Sequence, residues 1–157
     1  MKKTFVTAAA VVFLAAGISF AADHEQMHEM MMKQGGPKTD ARTELTIPAP
    51  MKVMHKGMMR QHMDTLSEIT AALAANDLKK SAEIAKTDLG WSKERGQQCS
   101  IFEPVKGGSD FTKLSTDMHK KADEFADAAK AGNRDKALAE LSQLMKKCNA
   151  CHEMYRH

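Results

Sequence analysis

The chain has 157 residues and a formal net charge of +3, so it is long enough for a single domain and carries no large excess of either charge. A balance this close to neutrality gives no case for binding nucleic acid or an anionic membrane surface. The composition is rich in Lys and Glu and poor in β-branched residues, and only 5% of the residues are aromatic. We therefore expect helices rather than sheets.

Residues 1–21 have the pattern of a secretory signal peptide. Lys2 and Lys3 precede an apolar run, which is followed by the small-x-small cleavage site Ser19-Phe20-Ala21. The apolar run is too short to cross a membrane. We expect cleavage after Ala21, export to the periplasm and no membrane span in the mature chain, whose formal charge falls to +1 with the loss of the two lysines.

Residues 22–50 are predicted to form a flexible tail, because Gly35-Gly36-Pro37 and Ile47-Pro48-Ala49-Pro50 interrupt any helix and apolar periodicity is absent. The tail is rich in thioether and imidazole groups, which suit Cu(I). Soft-metal binding by the tail is one hypothesis, and a chance cluster in a flexible segment is the other. The residues concerned are His24, Met27, His28, Met30, Met31 and Met32.

Residues 51–157 contain four segments with apolar residues at helical spacing. The first begins near Met51, and short turns follow near Asn76 and at Gly132. A longer connection runs through residues 97–108, where Pro104 and two glycines break helices. Short turns join antiparallel neighbours, so this all-α pattern predicts an antiparallel four-helix bundle.

The last helix carries C-x-x-C-H, formed by Cys148, Cys151 and His152, which is the attachment signal for a c-type haem. Two thiols three residues apart on a helix point the same way and can bond the vinyl groups of one haem. The adjacent imidazole can then bind the iron as its proximal ligand. Zinc is disfavoured because no second metal-spaced Cys/His pair is present, and a redox C-x-x-C is disfavoured because no βαβ pattern surrounds it.

Two other residues have less specific interpretations. Cys99 is the third cysteine, and we predict a small buried apolar residue, with an intermolecular disulfide or a reactive thiol as the alternative. His119 is predicted to face solvent.

The C-x-x-C-H motif followed by Tyr155-Arg156 resembles the cytochrome c′ superfamily, whose members are four-helix bundles. Within it, the soluble cytochrome b562 branch is similar from Asp110-Phe111 to the end of the chain and at His62-Met63-Asp64-Thr65-Leu66 on the first helix. The tail before Met51 lies outside the resemblance. The two haem cysteines depart from the b-type pattern and imply one covalent haem c, as in the c-type relatives.

The resemblance implies that His152 is the proximal iron ligand and Met63 the distal one. Met63 also lies on the apolar stripe of the first helix, but that stripe alone does not single it out. Arg156 is a candidate partner for a haem propionate. The alternative distal ligands are Met59, Met58 and His62, and an iron without a distal ligand is the remaining option.

A sixth ligand closes the iron to substrates. The first hypothesis is therefore a non-enzymatic electron-transfer cytochrome with His/Met ligation, which exchanges electrons with redox partner proteins and receives its haem from the c-type maturation machinery. The alternative is a five-coordinate, cytochrome c′-like protein that binds NO or CO. The resemblance also allows a homodimer through the first helices.

Overall fold

The structure is a computed structural model, and it describes residues 24–33, 35, 40–103 and 109–156. The chain divides into two compact units, Met1–Ala41 and Arg42–His157. Six helices contain most of the described residues, so the fold is all-α, as predicted. The predicted signal peptide at residues 1–21 lies outside the described residues. Within the described ranges, no helix is long and apolar enough to cross a membrane.

In the first unit, residues 24–33 form a helix, α1, where the sequence predicted a flexible tail. The predicted breakers, Gly35-Gly36-Pro37, come only after α1, and α1 itself contains neither Gly nor Pro. Its Glu, Gln, Met and Lys residues favour the helix. An ion pair one turn apart adds to this, with 2.7 Å between Glu29 Oε1 and Lys33 Nζ.

The described part of the second unit contains five helices and two short strands. In chain order they are β1 (Thr43–Glu44), α2 (Ala49–Ala74), α3 (Leu78–Ile84, extended by a π-helical turn over Ala85–Leu89), α4 (Lys93–Ser100), α5 (Ser109–Lys130), α6 (Arg134–Met154) and β2 (Tyr155–Arg156). The two strands pair in parallel, with Thr43 opposite Tyr155. The beginning and the end of this unit are therefore joined by backbone hydrogen bonds.

Polar caps and one glycine define the predicted turns. At the start of α3, Asp77 Oδ1 accepts a hydrogen bond of 2.9 Å from the backbone N–H of Lys80. Asn133 Oδ1 accepts one of 3.0 Å from the backbone N–H of Lys136 at the start of α6. Gly132 has a φ of +74°, the left-handed conformation in which helices commonly end, as predicted for the end of α5.

Helix α4 was not predicted from the sequence, and its last residues, 97–100, lie in the region predicted to be a connection. Ser92 caps α4 by accepting a hydrogen bond of 3.1 Å from the backbone N–H of Arg95. Gly96 lies against the ring of Trp91 so closely that a Cβ would come within 2.9 Å of the ring atom Cζ2. The glycine serves this close packing and does not end the helix.

Buried apolar side chains form two clusters. The main core joins α2, α3, α5 and α6, with Ile69, Leu89, Phe125 and Leu144 among its largest members. The smaller core consists of Leu45, Ile47, Phe102, Phe111 and Tyr155. Leu45 and Ile47 belong to the predicted tail, so the boundary predicted at residue 50 differs from the structure, in which residues 42–48 are part of the helical unit.

Pairwise contacts relate the helices to one another. Helix α5 packs along α6, α3 packs against α2 and α5, and α4 packs against α5. The turns at residues 75–77 and 131–133 make α2–α3 and α5–α6 helical hairpins. The antiparallel arrangement of all four long segments as one bundle stays a prediction.

Candidate haem site

An apolar pocket opens among α2, α4, α5 and α6, with about 1040 Å³ of empty space that includes its mouth. Large pockets with apolar walls and a few polar groups are typical of cofactor sites. The apolar lining residues come from the segment before α2, from α2 itself, from the end of α4 and the turn after it, and from α5. It includes Leu45, Leu66, Phe102, Phe111, Leu114 and Met118.

The C-x-x-C-H residues of α6 line one side of this pocket. Cys148 and Cys151 are free and half-buried, and they share a face of α6 because they are three residues apart. Cys148 packs against the main core and Cys151 against the smaller core. Burial, with Cys148 nearby, raises the pKa of the Cys151 thiol to about 11, so this thiol is protonated at neutral pH.

His152 is exposed at the mouth of the pocket, next to Cys151. Its backbone carbonyl accepts a hydrogen bond of 3.2 Å from Arg42 Nη1, a residue 110 positions earlier in the chain. This contact holds the end of α6 against the segment that leads into β1. His152 thus lines the same pocket as the two thiols, and its role as an iron ligand stays a prediction.

Helix α2 contributes the predicted distal residues, and all four line the pocket: Met58, Met59, His62 and Met63. Met63, the first candidate, has 65% of its surface exposed, whereas the other three are half-buried. Burial above all, with His119 nearby, lowers the pKa of His62 to about 4. His62 is therefore neutral at pH 7 and keeps a lone pair for a metal. Which of the four binds iron stays a prediction.

His119 was predicted to face solvent, and this prediction is wrong: only 1% of its surface is exposed. It lines the same pocket, and its Nδ1 lies 2.6 Å from the carbonyl oxygen of Leu89 at the end of the π-helical turn. Because a carbonyl only accepts, Nδ1 carries the proton and Nε2 is the acceptor. Nε2 lies 3.5 Å from Cys99 Sγ, and the His62 ring meets the His119 ring edge-on at 5.6 Å.

The sequence held one signal for this buried histidine. His119 is three residues before Ala122 and seven before Ala126, so it lies on a broad face of α5 whose other members are buried. A single polar residue on such a face is easily assigned to the solvent side. Cys99, its partner, is buried, as predicted.

The C-terminal Tyr155 and Arg156 have different environments. Tyr155 is buried and packs edge-on against Phe111, with 5.4 Å between ring centroids. Arg156 Nη2 lies 3.6 Å from Glu44 Oε2, and Arg156 is not among the residues that line the pocket. Lys147 does line it. The contact of Arg156 with a haem propionate stays a prediction.

An apolar pocket in a helical unit, with C-x-x-C-H in its wall, is typical of helical haem proteins. A family model described as Cytochrome C′ matches residues 49–156, which is more than half of the chain and runs from the first residue of α2 into β2. The chain belongs to the cytochrome c′ family and is a haem-binding cytochrome, so the predicted superfamily is confirmed. No curated protein and no solved structure matched the chain.

The residues in the pocket fit a haem. Apolar walls suit the porphyrin, thiols on one side can bond its vinyl groups, and imidazole and thioether groups from two helices can bind its iron. Cys148 and Cys151 are not joined in a disulfide, so both thiols are free.

Proposed function

We propose that the protein is a periplasmic c-type cytochrome that transfers electrons through one covalently bound haem. Cys148 and Cys151 would hold the haem through thioether bonds, and His152 would be the proximal ligand of its iron. The observation that carries the proposal is the pocket, in which the C-x-x-C-H residues of α6 and the Met and His side chains of α2 stand around one apolar space. Export rests on the signal-peptide pattern of residues 1–21.

Helix α2 supplies the distal ligand in this proposal. Met63 is the first candidate, because the family resemblance places it there and because it lines the pocket. Met59, Met58 and His62 are the alternatives on the same helix. A thioether ligand favours reduced iron and raises the reduction potential, and a six-coordinate iron has no position for a substrate. We therefore propose electron transfer to redox partner proteins and no enzymatic activity.

A bound haem would supply a reversible one-electron change, and the side chains around it would set its solvent exposure and bind its propionates. Leu66, Phe111 and Leu114 line the pocket and would exclude water around a bound haem, which would tune the potential through the local dielectric. Lys147 also lines the pocket, and its ammonium group could pair with a haem propionate. Helices α2, α3, α5 and α6 are proposed to form the antiparallel four-helix bundle, and the family resemblance extends this to a homodimer through α2.

The test is the absorption spectrum of protein made with a c-type maturation system, recorded reduced and then with CO. We expect a sharp low-spin spectrum that CO leaves unchanged, and haem that stays on the chain after denaturation. In Met63→Ala the iron should become high-spin and bind CO. The substitution should leave the fold intact because Met63 is mostly exposed.

Met54→Ala is the matched control for this experiment. Met54 lies on the same helix, is 43% exposed and does not line the pocket, so its removal should leave the spectrum unchanged. A low-spin spectrum that survives Met63→Ala would move the distal role to Met59, Met58 or His62. Single substitutions of these three would then identify the ligand.

The second candidate function is binding of NO or CO by a five-coordinate iron. The exposure of Met63 favours it, because a side chain with 65% of its surface in solvent must turn inward to reach the iron. Half-buried Met58, Met59 and Leu66 would then crowd the distal side. A broad high-spin spectrum of the unaltered protein, converted by CO, would establish this function and refute the Met63 ligand.

A further inference from the structure

Helix α1 brings together soft metal-binding side chains that the haem site does not use. His24, Met27, His28 and Met31 are spaced by three, four and seven residues, so they lie on one face of α1, which we call the His/Met face. Residues three or four positions apart on a helix have Cβ atoms about 5–6 Å apart, so His24, Met27, His28 and Met31 form a continuous row along this face.

The charged residues of α1 lie elsewhere on the helix. Glu25 and Glu29 are four residues apart and share the side away from the His/Met face. Glu29 is engaged by Lys33 in the ion pair of 2.7 Å. The helix therefore separates its charged residues from its soft ligands.

The side chains of the His/Met face are accessible. Met27 is 55% exposed and Met31 69%, and both histidines are exposed as well. Because both thioether side chains are mostly exposed, packing in a core within the described part of this unit does not account for them.

We propose that the His/Met face binds one soft monovalent cation, Cu(I) or Ag(I), through the imidazoles of His24 and His28 and the thioethers of Met27 and Met31. Two histidines four residues apart on a helix are an established chelating pair. Thioether ligands select Cu(I) over harder ions. Among the described residues no group of three or more His, Cys, Asp or Glu side chains is placed to hold a metal ion, so the face lacks the ligand set that Zn²⁺ prefers.

The helix determines which of these residues can bind the ion together, because a flexible tail would present all six His and Met residues alike. In α1, Met30 projects away from the centre of the face, on the far side of Met27. It is 56% exposed, nearly the same as Met27. Exposure is thus equal for the two residues, and only their place on the helix differs.

The experiment is titration of the full-length holo-protein with Ag(I) by calorimetry, and with Cu(I) by competition against a chromophoric chelator under reducing conditions. The double variant Met27→Leu/Met31→Leu keeps apolar bulk and helix propensity but removes both sulfurs. We expect affinity to fall at least about tenfold, since even second-sphere partners of metal ligands are worth that much. The double variant His24→Gln/His28→Gln should show a similar loss.

Met30→Leu is the control, and it should keep the affinity of the unaltered protein. The reduced haem spectrum of every variant should also be unchanged, which separates this site from the haem pocket. Equal affinity in all variants, an equal loss with Met30→Leu, or Zn²⁺ binding as tight as Ag(I) binding would each overturn the proposal. The outcome does not depend on which residue binds the haem iron.

Discussion

His62 and His119 show what burial in the pocket does to individual side chains. Burial lowers the pKa of both histidines because the charged form loses its hydration. The nearby His119 lowers the pKa of His62 further. The carbonyl oxygen of Leu89 holds the His119 ring in one orientation, with Nδ1 as donor. The pair therefore stays neutral beside the C-x-x-C-H residues at physiological pH.

The lowered pKa of His62 predicts a pH-dependent stability. The folded state binds fewer protons than the unfolded state between the pKa of about 4 and the ordinary value of 6.5. The stabilisation is therefore complete above pH 6.5 and is lost as the pH falls towards 4, by on the order of 3 kcal/mol. Urea unfolding at several pH values measures it. His62→Gln should flatten the dependence in this window, and an unchanged slope in that variant would contradict the assignment.

The helices of the second unit are organised by caps and by close contacts that follow from particular residues. Asp77 and Asn133 cap α3 and α6, because each side chain accepts a hydrogen bond from the backbone N–H three residues later. A glycine that ends a helix and one that admits a neighbouring ring look alike in sequence, and Gly96 is of the second kind. Only the position of Trp91 distinguishes the two cases.

Gly96→Ala should destabilise the protein by about 1–3 kcal/mol, because the added methyl group overlaps the Trp91 ring and forces it to move. Gly57→Ala on α2 is the matched control. A Cβ at Gly57 meets nothing within 4 Å, so this change should stabilise by about 0.5–1 kcal/mol through helix propensity. Thermal unfolding of both variants gives the comparison. If the two changes stabilise equally, the Trp91 contact does not constrain α4.

The second unit as a whole is closed by the segment before α2. β1 pairs with β2, Arg42 binds the carbonyl of His152, and Ile47 packs in the smaller core with Tyr155. These contacts place the C-x-x-C-H end of α6 next to the first residues of the unit. The wall of the pocket that carries His152 is therefore supported by residues that the sequence assigned to a tail.

Ile47→Ala tests this closure, because Ile47 is 9% exposed and does not line the pocket. We expect a loss of about 2–5 kcal/mol in the free energy of unfolding, the usual cost of removing a buried Ile side chain. Val53→Ala, at a position that is 68% exposed, should change stability by no more than about 0.5 kcal/mol. Chemical denaturation measures both variants. Equal stability of the two would mean that residues 42–48 behave as the tail first predicted.

The amino-acid sequence by itself determined the features that depend on neighbouring residues. Helical periodicity, the turns near Asn76 and at Gly132, and the C-x-x-C-H motif are local, because backbone hydrogen bonds and side-chain spacing operate over three or four positions. The family match agrees with the superfamily inferred from that motif. The apolar stripe of α2 and the family resemblance also gave the candidates for the distal ligand. These are Met58, Met59, His62 and Met63, and all four line the pocket.

Only the tertiary structure decided which distant segments meet. Burial of His119 depends on Leu89 and Cys99, which lie 30 and 20 positions away. The contact between Arg42 and His152 spans 110 positions, and no local pattern encodes it. Long-range contacts form when several weak apolar and polar preferences are satisfied together, so the environment of a side chain such as His119 follows from the packed fold and not from its own neighbours in the chain.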